Sequence, residues 1–275
     1  MTTPRAVSVA LQKGGVGKTT IAINLAERLA NRGHNVLLVD LDQQGNATEG
    51  LGLAEAYTAD THIGDVLVDD GDATLEDIIR ETETVDVLPA NEDLDGVENT
   101  IRSATFGELW IRNKVIEPLL GEEYDYIVID SPPNLGPLSD ASLIASQHVI
   151  VPLRMSEPSV SGFERMFKQQ IVPIRQEIDL DILAIVPNAT SGTNEEKRII
   201  TDLEESQFGE FLPGFGRSAH FDDPDSPGPG IRERIAFRRS WREGQPLAQY
   251  DPESDMLGRL DELAGVVEAG GVEDA

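Results

Sequence analysis

The sequence of 275 residues contains no cysteine and no long apolar run. Without thiols the chain can form no disulfide, no thiolate metal site and no cysteine-ligated iron–sulfur cluster. A membrane-spanning helix needs roughly 18 or more consecutive apolar residues, and no run approaches that length. The first residues also lack the charged-then-apolar pattern of a secretory leader. We therefore expect a soluble, cytoplasmic protein.

Basic residues are scarce as well. There are 22 of them against 50 acidic residues, so the formal net charge is −28, and lysine occurs only at positions 13, 18, 114, 168 and 197. Such a composition is typical of proteins that work in molar salt, where a Debye length of about 3 Å screens self-repulsion strongly. The acidic residues are scattered rather than spaced as in a calcium loop, which disfavours a calcium-related protein. We interpret the charge as halophilic adaptation.

Short β-branched runs alternate with helix-forming segments along most of the chain. This alternation predicts a single α/β domain over residues 1–275, with a doubly wound, mostly parallel sheet and helices on both faces. An acidic stretch rich in proline and glycine at 222–230 cannot form a regular element, and we expect an exposed loop there. The predicted strands are 6–11, 35–40, 85–88, 126–130, 148–152 and 182–186, and the predicted helices are 21–30, 63–68, 75–81, 106–120, 161–177, 195–205 and 253–268.

A glycine-rich segment lies between the first predicted strand and the first predicted helix, and it reads Lys13-Gly14-Gly15-Val16-Gly17-Lys18-Thr19-Thr20. Glycines allow successive backbone N–H groups to converge on an anion at the positive end of a helix. Lys18 then lies where its ammonium reaches the β- and γ-phosphates, and the Thr19 hydroxyl can bind a Mg²⁺ ion that bridges them. The strand–loop–helix context therefore predicts a nucleoside triphosphate site.

Three aspartates follow predicted strands, and the carboxyl ends of parallel strands share one edge of a sheet. Asp40 and Asp42 come at the end of the second strand, and Asp130 ends the fourth. One carboxylate can orient the attacking water while another holds a metal-bound water. An apolar run that ends in aspartate is a weak signal alone, but behind a phosphate loop it indicates a magnesium ligand. We therefore assign Asp130, together with Thr19, to Mg²⁺.

The two-lysine loop resembles the deviant Walker A loop of the ParA/MinD ATPases, a family of P-loop NTPases. The segment from Asp40 to Asn46 is similar to the family's Asp-x-Asp-Pro-Gln-Gly-Asn motif, except that Gln43 replaces the proline. Ser131-Pro132-Pro133 resembles the residues that follow the family's Walker B aspartate. The resemblance covers most of the chain and is strongest at 6–54, 85–98, 124–162 and 231–252.

This resemblance implies ATP and Mg²⁺ as cofactors. In the family the first loop lysine, here Lys13, reaches the partner's phosphates across an ATP-dependent homodimer. The second aspartate, here Asp42, positions the hydrolytic water, with Asp40 in support. Asn188 is expected to meet the amide edge of adenine, although an asparagine after a strand is also a common turn residue. The implied catalytic residues are Lys13, Lys18, Asp40 and Asp42, and the implied ATP-binding residues are Gly14, Gly15, Val16, Gly17, Lys18, Thr19, Thr20 and Asn188.

Five arginines lie within eleven residues of this otherwise acidic chain: Arg232, Arg234, Arg238, Arg239 and Arg242. Local reversal of charge is a clue to an anionic partner, and the guanidinium fork suits phosphate. In ParA proteins, arginines of this region bind DNA non-specifically. The match here is regional, since Ala236 stands where the family often has an arginine. The alternatives are that these arginines pair with neighbouring acids or contact the nucleotide.

The resemblance therefore implies a ParA-type ATPase, cytoplasmic and nucleoid-associated, that partitions plasmid or chromosomal DNA or positions other cargo. A ParB-like protein or another cargo adaptor would stimulate its hydrolysis. One alternative is a MinD-like, membrane-associated positioning ATPase. It predicts a basic amphipathic C-terminal helix, but residues 263–275 contain no lysine or arginine, so we expect no membrane partner. A small-molecule ligase or kinase of the same fold, such as dethiobiotin synthetase, has no support from residues 40–48.

Overall fold

The computed structural model describes residues 3–68 and 73–272 of the protein. Within this part, seven strands form one parallel sheet in the order β3-β2-β4-β1-β5-β6-β7. The predicted doubly wound α/β fold is confirmed. The strands are β1 Arg5–Val9, β2 Val36–Asp40, β3 Asp86–Leu88, β4 Tyr126–Asp130, β5 His148–Leu153, β6 Asp181–Thr190 and β7 Ile231–Arg232.

Helices cover both faces of this sheet. On one face, Val7 and Leu38 of the sheet pack with Leu25 of α1 and Leu260 of α13. On the other face, the alternate residues of β2 pack with α5 and α7. The helices are α1 Lys18–Asn31, α2 Asn46–Gly50, α3 Ile63–Leu67, α4 Leu75–Ile78, α5 Leu94–Ser103, α6 Glu117–Leu119, α7 Pro137–Ser146, α8 Glu157–Met166, α9 Val172–Ile174, α10 Asn194–Glu204, α11 Ile235–Arg242, α12 Leu247–Tyr250 and α13 Leu257–Ala269.

Two of the predicted helices are less regular than expected. The segment predicted at 106–120 starts with a 3₁₀ turn and contains a π turn at Arg112–Ile116, and the segment predicted at 161–177 contains a π turn at Phe167–Ile171. Each π turn is followed closely by a proline, Pro118 or Pro173. Proline cannot donate to the carbonyl four residues earlier and its ring crowds that carbonyl, so a locally widened helix accommodates it.

The segment at 222–230, predicted to be an exposed loop, is exposed only in its first half. Residues 222–225 are exposed, but Gly228, Pro229 and Gly230 are buried. The backbone N–H of Gly230 donates to the carbonyl of Phe215 at 2.7 Å, and the hydroxyl of Thr190 donates to the carbonyl of Pro229 at 2.7 Å. These two hydrogen bonds dock the second half of the loop against the end of β6. It leads directly into β7 and α11, neither of which the sequence patterns predict.

The three central strands end at the same level. Val9 and Asp40 are both register partners of Asp130, on either side of β4. Strand β1 lies between β4 and β5, where the order of the strands reverses. Open α/β sheets bind ligands beyond the carboxyl ends of the strands at such a reversal. The fold therefore places the glycine-rich loop and the strand-end aspartates at the expected binding edge.

Candidate active site

The loop after β1 requires glycine at two positions. Gly15 and Gly17 have φ angles of 72° and 92°, in the left-handed range that favours glycine. Gly17 precedes α1, and a Cβ atom there would lie 2.2 Å from Nδ2 of Asn188. Asn188 donates from Nδ2 to the carbonyl of Val16 at 2.7 Å, which fixes the loop to the end of β6. Its expected contact with adenine stays a prediction.

The glycine loop lines a pocket of about 530 Å³, a volume typical of small-molecule sites. One wall consists of Gly14, Gly15, Gly17, Lys18, Thr19 and Thr20, and Asp42 borders the same space. Helix α11 lines the same pocket through Phe237, Arg238, Trp241 and Arg242, which form a second wall. The structure thus gathers most of the residues predicted to bind ATP around one cavity. Val16 and Asn188 are buried and do not line it.

Asp130 is a fully buried carboxylate next to Lys18 and Thr19. Burial raises its pKa well above the ordinary value and the nearby Asp40 raises it further, whereas Thr19 and Lys18 lower it. In the described part of the chain, neither oxygen has a hydrogen-bond partner of good geometry. Such a buried carboxylate is costly unless it is paired. Mg²⁺ binds through one or two protein oxygens and keeps several waters, so Asp130 and Thr19 fit this ion.

Asp40 and Asp42 have different environments. Asp40 accepts hydrogen bonds from the backbone N–H and the hydroxyl of Thr48, both at 2.8 Å, and from the backbone N–H of Asp42 at 3.1 Å. Burial raises its pKa to about 6 against the effect of these hydrogen bonds. Asp42 borders the pocket, and among the described residues its carboxylate accepts one hydrogen bond, from the backbone N–H of Gln44 at 3.0 Å. Asp40 therefore holds the loop in place, while Asp42 faces the cavity.

The two loop lysines lie in different surroundings. Lys18 lines the pocket, and burial lowers its pKa while Asp130 and Asp42 raise it. The ammonium of Lys13 donates instead to the hydroxyl of Ser159 in α8 at 2.9 Å, and Lys13 does not line the pocket. Lys18 thus faces the cavity beside the glycine loop, and its contact with a nucleotide stays a prediction. The action of Lys13 across a dimer stays a prediction.

Two of the five arginines have partners within the chain. Arg232 donates to the carbonyl of Ser191 at 2.8 Å and also to the carbonyl of Pro227. Arg234 forms an ion pair with Asp255, with Nε and Oδ1 3.0 Å apart. Their hydrogen-bonding capacity is therefore partly used within the fold, which matches one alternative considered from the sequence.

The other three arginines lie on α11 and are exposed. Arg238 and Arg242 line the pocket, whereas Arg239 does not. Sequence reasoning missed the contribution of Phe237 and Trp241 to this wall. Their spacing of four residues, which places them on one face of a helix, was the available signal.

Comparison with known proteins places these features in a family. A family model for an AAA domain matches residues 4–183. The sporulation initiation inhibitor protein Soj of Bacillus subtilis is 31% identical over 270 residues, which cover 96% of this chain and 98% of that protein. The chromosome-partitioning ATPase Soj of Thermus thermophilus is 32% identical over 248 residues, which cover 84% of this chain and 94% of that protein.

A solved structure of similar fold contains a bound nucleotide. Cobyrinic acid a,c-diamide synthase from Mycobacterium smegmatis, with bound ADP and magnesium, has a TM-score of 0.69 and 29% identity over 87% of this chain and 91% of that chain. Its ligands agree with the ATP and Mg²⁺ that the glycine loop and Asp130 suit. The chain therefore belongs to the ParA/MinD family of P-loop ATPases.

Proposed function

We propose that the protein is an ATP-hydrolysing partition ATPase. Two chains would close around ATP, the homodimer would hold DNA non-specifically, and a ParB-like or other cargo adaptor would stimulate hydrolysis and release. The observation that carries this proposal is the pocket where the glycine loop, Lys18 and Asp42 meet, with the fully buried carboxylate of Asp130 beside Thr19. The similarity to a chromosome-partitioning ATPase supports the cellular role.

Within this site each residue has a chemical task. The backbone N–H groups of the glycine loop and the ammonium of Lys18 would stabilise charge that develops on the transferred phosphoryl group. Asp42, at the rim of the pocket, would orient the attacking water. Mg²⁺, held through Asp130 and Thr19, would supply Lewis acidity and neutralise phosphate charge.

If the protein works in a cytoplasm with a high salt concentration, its binding to DNA must persist at that concentration. Affinity from phosphate contacts falls steeply as salt rises, because it depends on counterion release. The exposed cations nearest the site are Arg238, Arg239 and Arg242, which is a small patch for one chain. A dimer presents two such patches, and binding of one patch to DNA raises the effective concentration of the other near the same DNA. We therefore propose that DNA is retained by the ATP-bound dimer and not by the monomer.

The MinD-like alternative would need an apolar helix face that is free to enter a membrane surface. The apolar residues of the last helix, Leu260, Leu263 and Val267, are fully buried against the core. In the parts of the chain that the structure describes, no helix is both long and apolar enough to cross a bilayer. Residues 273–275 of the predicted tail lie outside the described residues. The described part of α13 therefore presents no free apolar face that would favour the MinD-like function.

One experiment separates these functions. Turnover of ATP is measured for the purified protein alone, with duplex DNA and with anionic lipid vesicles, and retention on DNA is measured with ATP, with ADP and without nucleotide. We expect the protein to be retained on DNA with ATP but not with ADP or without nucleotide. We expect its ATP turnover to be unchanged by vesicles. Equal retention in all three nucleotide states would refute the proposed ATP-dependent hold on DNA, and binding to vesicles would favour the MinD-like function.

A further inference from the structure

We propose that Arg238 and Arg242 bind the phosphates of the nucleotide held by their own chain, so that α11 is a wall of the ATP site. The inference rests on the proposed function only in taking ATP or ADP as the ligand. It assigns to the nucleotide two arginines that the sequence pattern assigned to DNA. Of the three exposed arginines of α11 that were proposed above to contact DNA, Arg239 does not line the pocket, and it stays available to DNA while a nucleotide is bound.

The first argument is that the side chains of Arg238 and Arg242 lie on the same face of α11 and line the pocket. Residues four apart on a helix lie on the same face, so Arg238 and Arg242 are neighbours along α11. Both line the 530 Å³ pocket together with Lys18 and Thr19 of the glycine loop. Both side chains are exposed to solvent and line that pocket, and among the described residues neither guanidinium group forms a hydrogen bond or an ion pair. Their guanidinium groups are therefore available to a ligand.

The second argument is that close contacts with α2 and with the residues after it hold α11 in place. Trp241 donates from Nε1 to the carbonyl of Asn46 at 2.8 Å, at the start of α2. The same indole lies so close to α2 that a Cβ atom on Gly50 would come within 2.4 Å of it. Just after α11, a Cβ atom on Gly244 would come within 2.9 Å of the backbone of Gly52. These close approaches fix α11 over the pocket.

The third argument is the balance of positive and negative charge around the pocket. Three buried carboxylates lie at this edge of the sheet, those of Asp40, Asp42 and Asp130, and Lys18 interacts with Asp42 and Asp130. A polyphosphate brings further negative charge, and Lys13 is bonded to Ser159 outside the pocket. One bound Mg²⁺ together with Lys18 leaves this negative charge incompletely balanced. The two guanidinium groups that line the same pocket would complete the balance, and their planar forks suit phosphate oxygens.

The test compares three single variants on one helix: Arg238→Ala, Arg242→Ala and the matched control Arg239→Ala. Each removes one exposed arginine, so the change in net charge is identical. Dissociation constants for fluorescent ATP and ADP are measured with Mg²⁺ at one fixed KCl concentration, and thermal midpoints confirm folding. A hydrogen bond to a charged group contributes enough that its loss weakens binding about tenfold. We expect that loss for Arg238→Ala and Arg242→Ala, and a change below about twofold for Arg239→Ala.

Two outcomes would overturn the proposal. The first is wild-type nucleotide affinity in Arg238→Ala and Arg242→Ala. The second is an equal loss in all three variants, which would indicate a general effect of charge instead of contact with phosphate. Retention of the wild-type protein on DNA is measured in parallel. Its failure would refute the partition function and leave the result on these arginines unchanged.

Discussion

At the carboxyl edge of the sheet, Asp40 and Asp130 are register partners on adjacent strands, and both are fully buried. Asp40 is surrounded by donors from Thr48 and Asp42, whereas Asp130 has none of good geometry among the described residues. The negative charge of Asp40 raises the pKa of Asp130 further, in addition to the effect of burial. A bound Mg²⁺ would favour the charged form of Asp130. Binding of the metal and binding of the nucleotide are therefore expected to support each other.

The role of Asp42 can be separated from nucleotide binding. The variant Asp42→Ala should bind Mg–ATP with an affinity close to that of the wild type, because Lys18 and the glycine loop remain. Its turnover should fall by about 100-fold or more, since a positioned base typically contributes that much. Steady-state phosphate release measures the effect, and Asp95→Ala, which removes an exposed carboxylate on α5, is the control. Normal turnover in Asp42→Ala would remove Asp42 from its proposed role.

Lys13 allows a second test at the scale of the residue. Because its ammonium binds Ser159 and lies outside the pocket lining, Lys13→Ala should keep ATP affinity within about twofold. Its turnover should fall if the lysine acts on the phosphates of a partner chain. Titration with fluorescent ATP and a turnover assay give both quantities. A loss of affinity as large as that of Lys18→Ala would place Lys13 in the pocket of its own chain.

The parts of the site that the sequence predicted are those in which the chemistry is local. The glycine loop, Lys18, Thr19 and the strand-end aspartates are short segments with a spacing that has few other uses. The contributions of α11 and Asn188 depend instead on contacts between distant segments. Trp241 meets Asn46 across 195 positions, and Asn188 meets Val16 across 172. No local pattern specifies such contacts.

At the scale of the element, most strands were predicted because β-branched runs identify buried parallel strands. The fold class was predicted for the same reason. The π turns before Pro118 and Pro173 were not, because an apolar pattern of period 3.6 is still recognisable across one widened turn. The two-residue strand β7 is too short to carry any pattern of its own. Its position follows from pairing with β6.

The end of α13 is attached to the rest of the fold by an ion-pair cluster, and this attachment can be measured. The carboxylate of Glu268 accepts hydrogen bonds from Arg32 at 2.6 and 2.9 Å and lies 2.8 Å from the ring of His34. The hydrogen bonds from Arg32 lower the pKa of Glu268 to about 2. Glu268→Gln should reduce the free energy of unfolding by about 1 kcal/mol near pH 7, a small value because solvent screens the cluster.

The pH dependence of this effect has a definite sign. The pKa of Glu268 in the folded state lies below its ordinary value of 4.5, so its contribution is present above pH 4.5 and is lost as the pH falls towards 2. Urea unfolding of the wild type and of Glu268→Gln should therefore converge at low pH. The control is Glu253→Gln, which changes an exposed carboxylate by the same charge. A difference between wild type and Glu268→Gln that is independent of pH would contradict the ion-pair account.

At the scale of the whole molecule, the net charge of −28 is the dominant feature. At low ionic strength these charges repel one another and oppose the compact state, and salt screens that repulsion. We predict that the thermal midpoint rises by roughly 5 °C or more when KCl increases from about 0.1 M to 2 M. NaCl at the same ionic strength should act similarly, since screening depends on ionic strength. A midpoint that falls or stays constant would contradict the interpretation as halophilic adaptation.

The proposed function requires that the glycine loop of each chain binds Mg–ATP through Lys18. Calorimetric titration of Mg–ATP into the wild type, Lys18→Ala and Lys168→Ala tests this most directly. Lys168 is exposed, and its loss changes the net charge by the same amount. We predict about one ATP bound per wild-type chain, unchanged binding in Lys168→Ala, and affinity lower by about 100-fold or more in Lys18→Ala because a buried charge on the phosphates is lost. Wild-type affinity in Lys18→Ala would contradict the account.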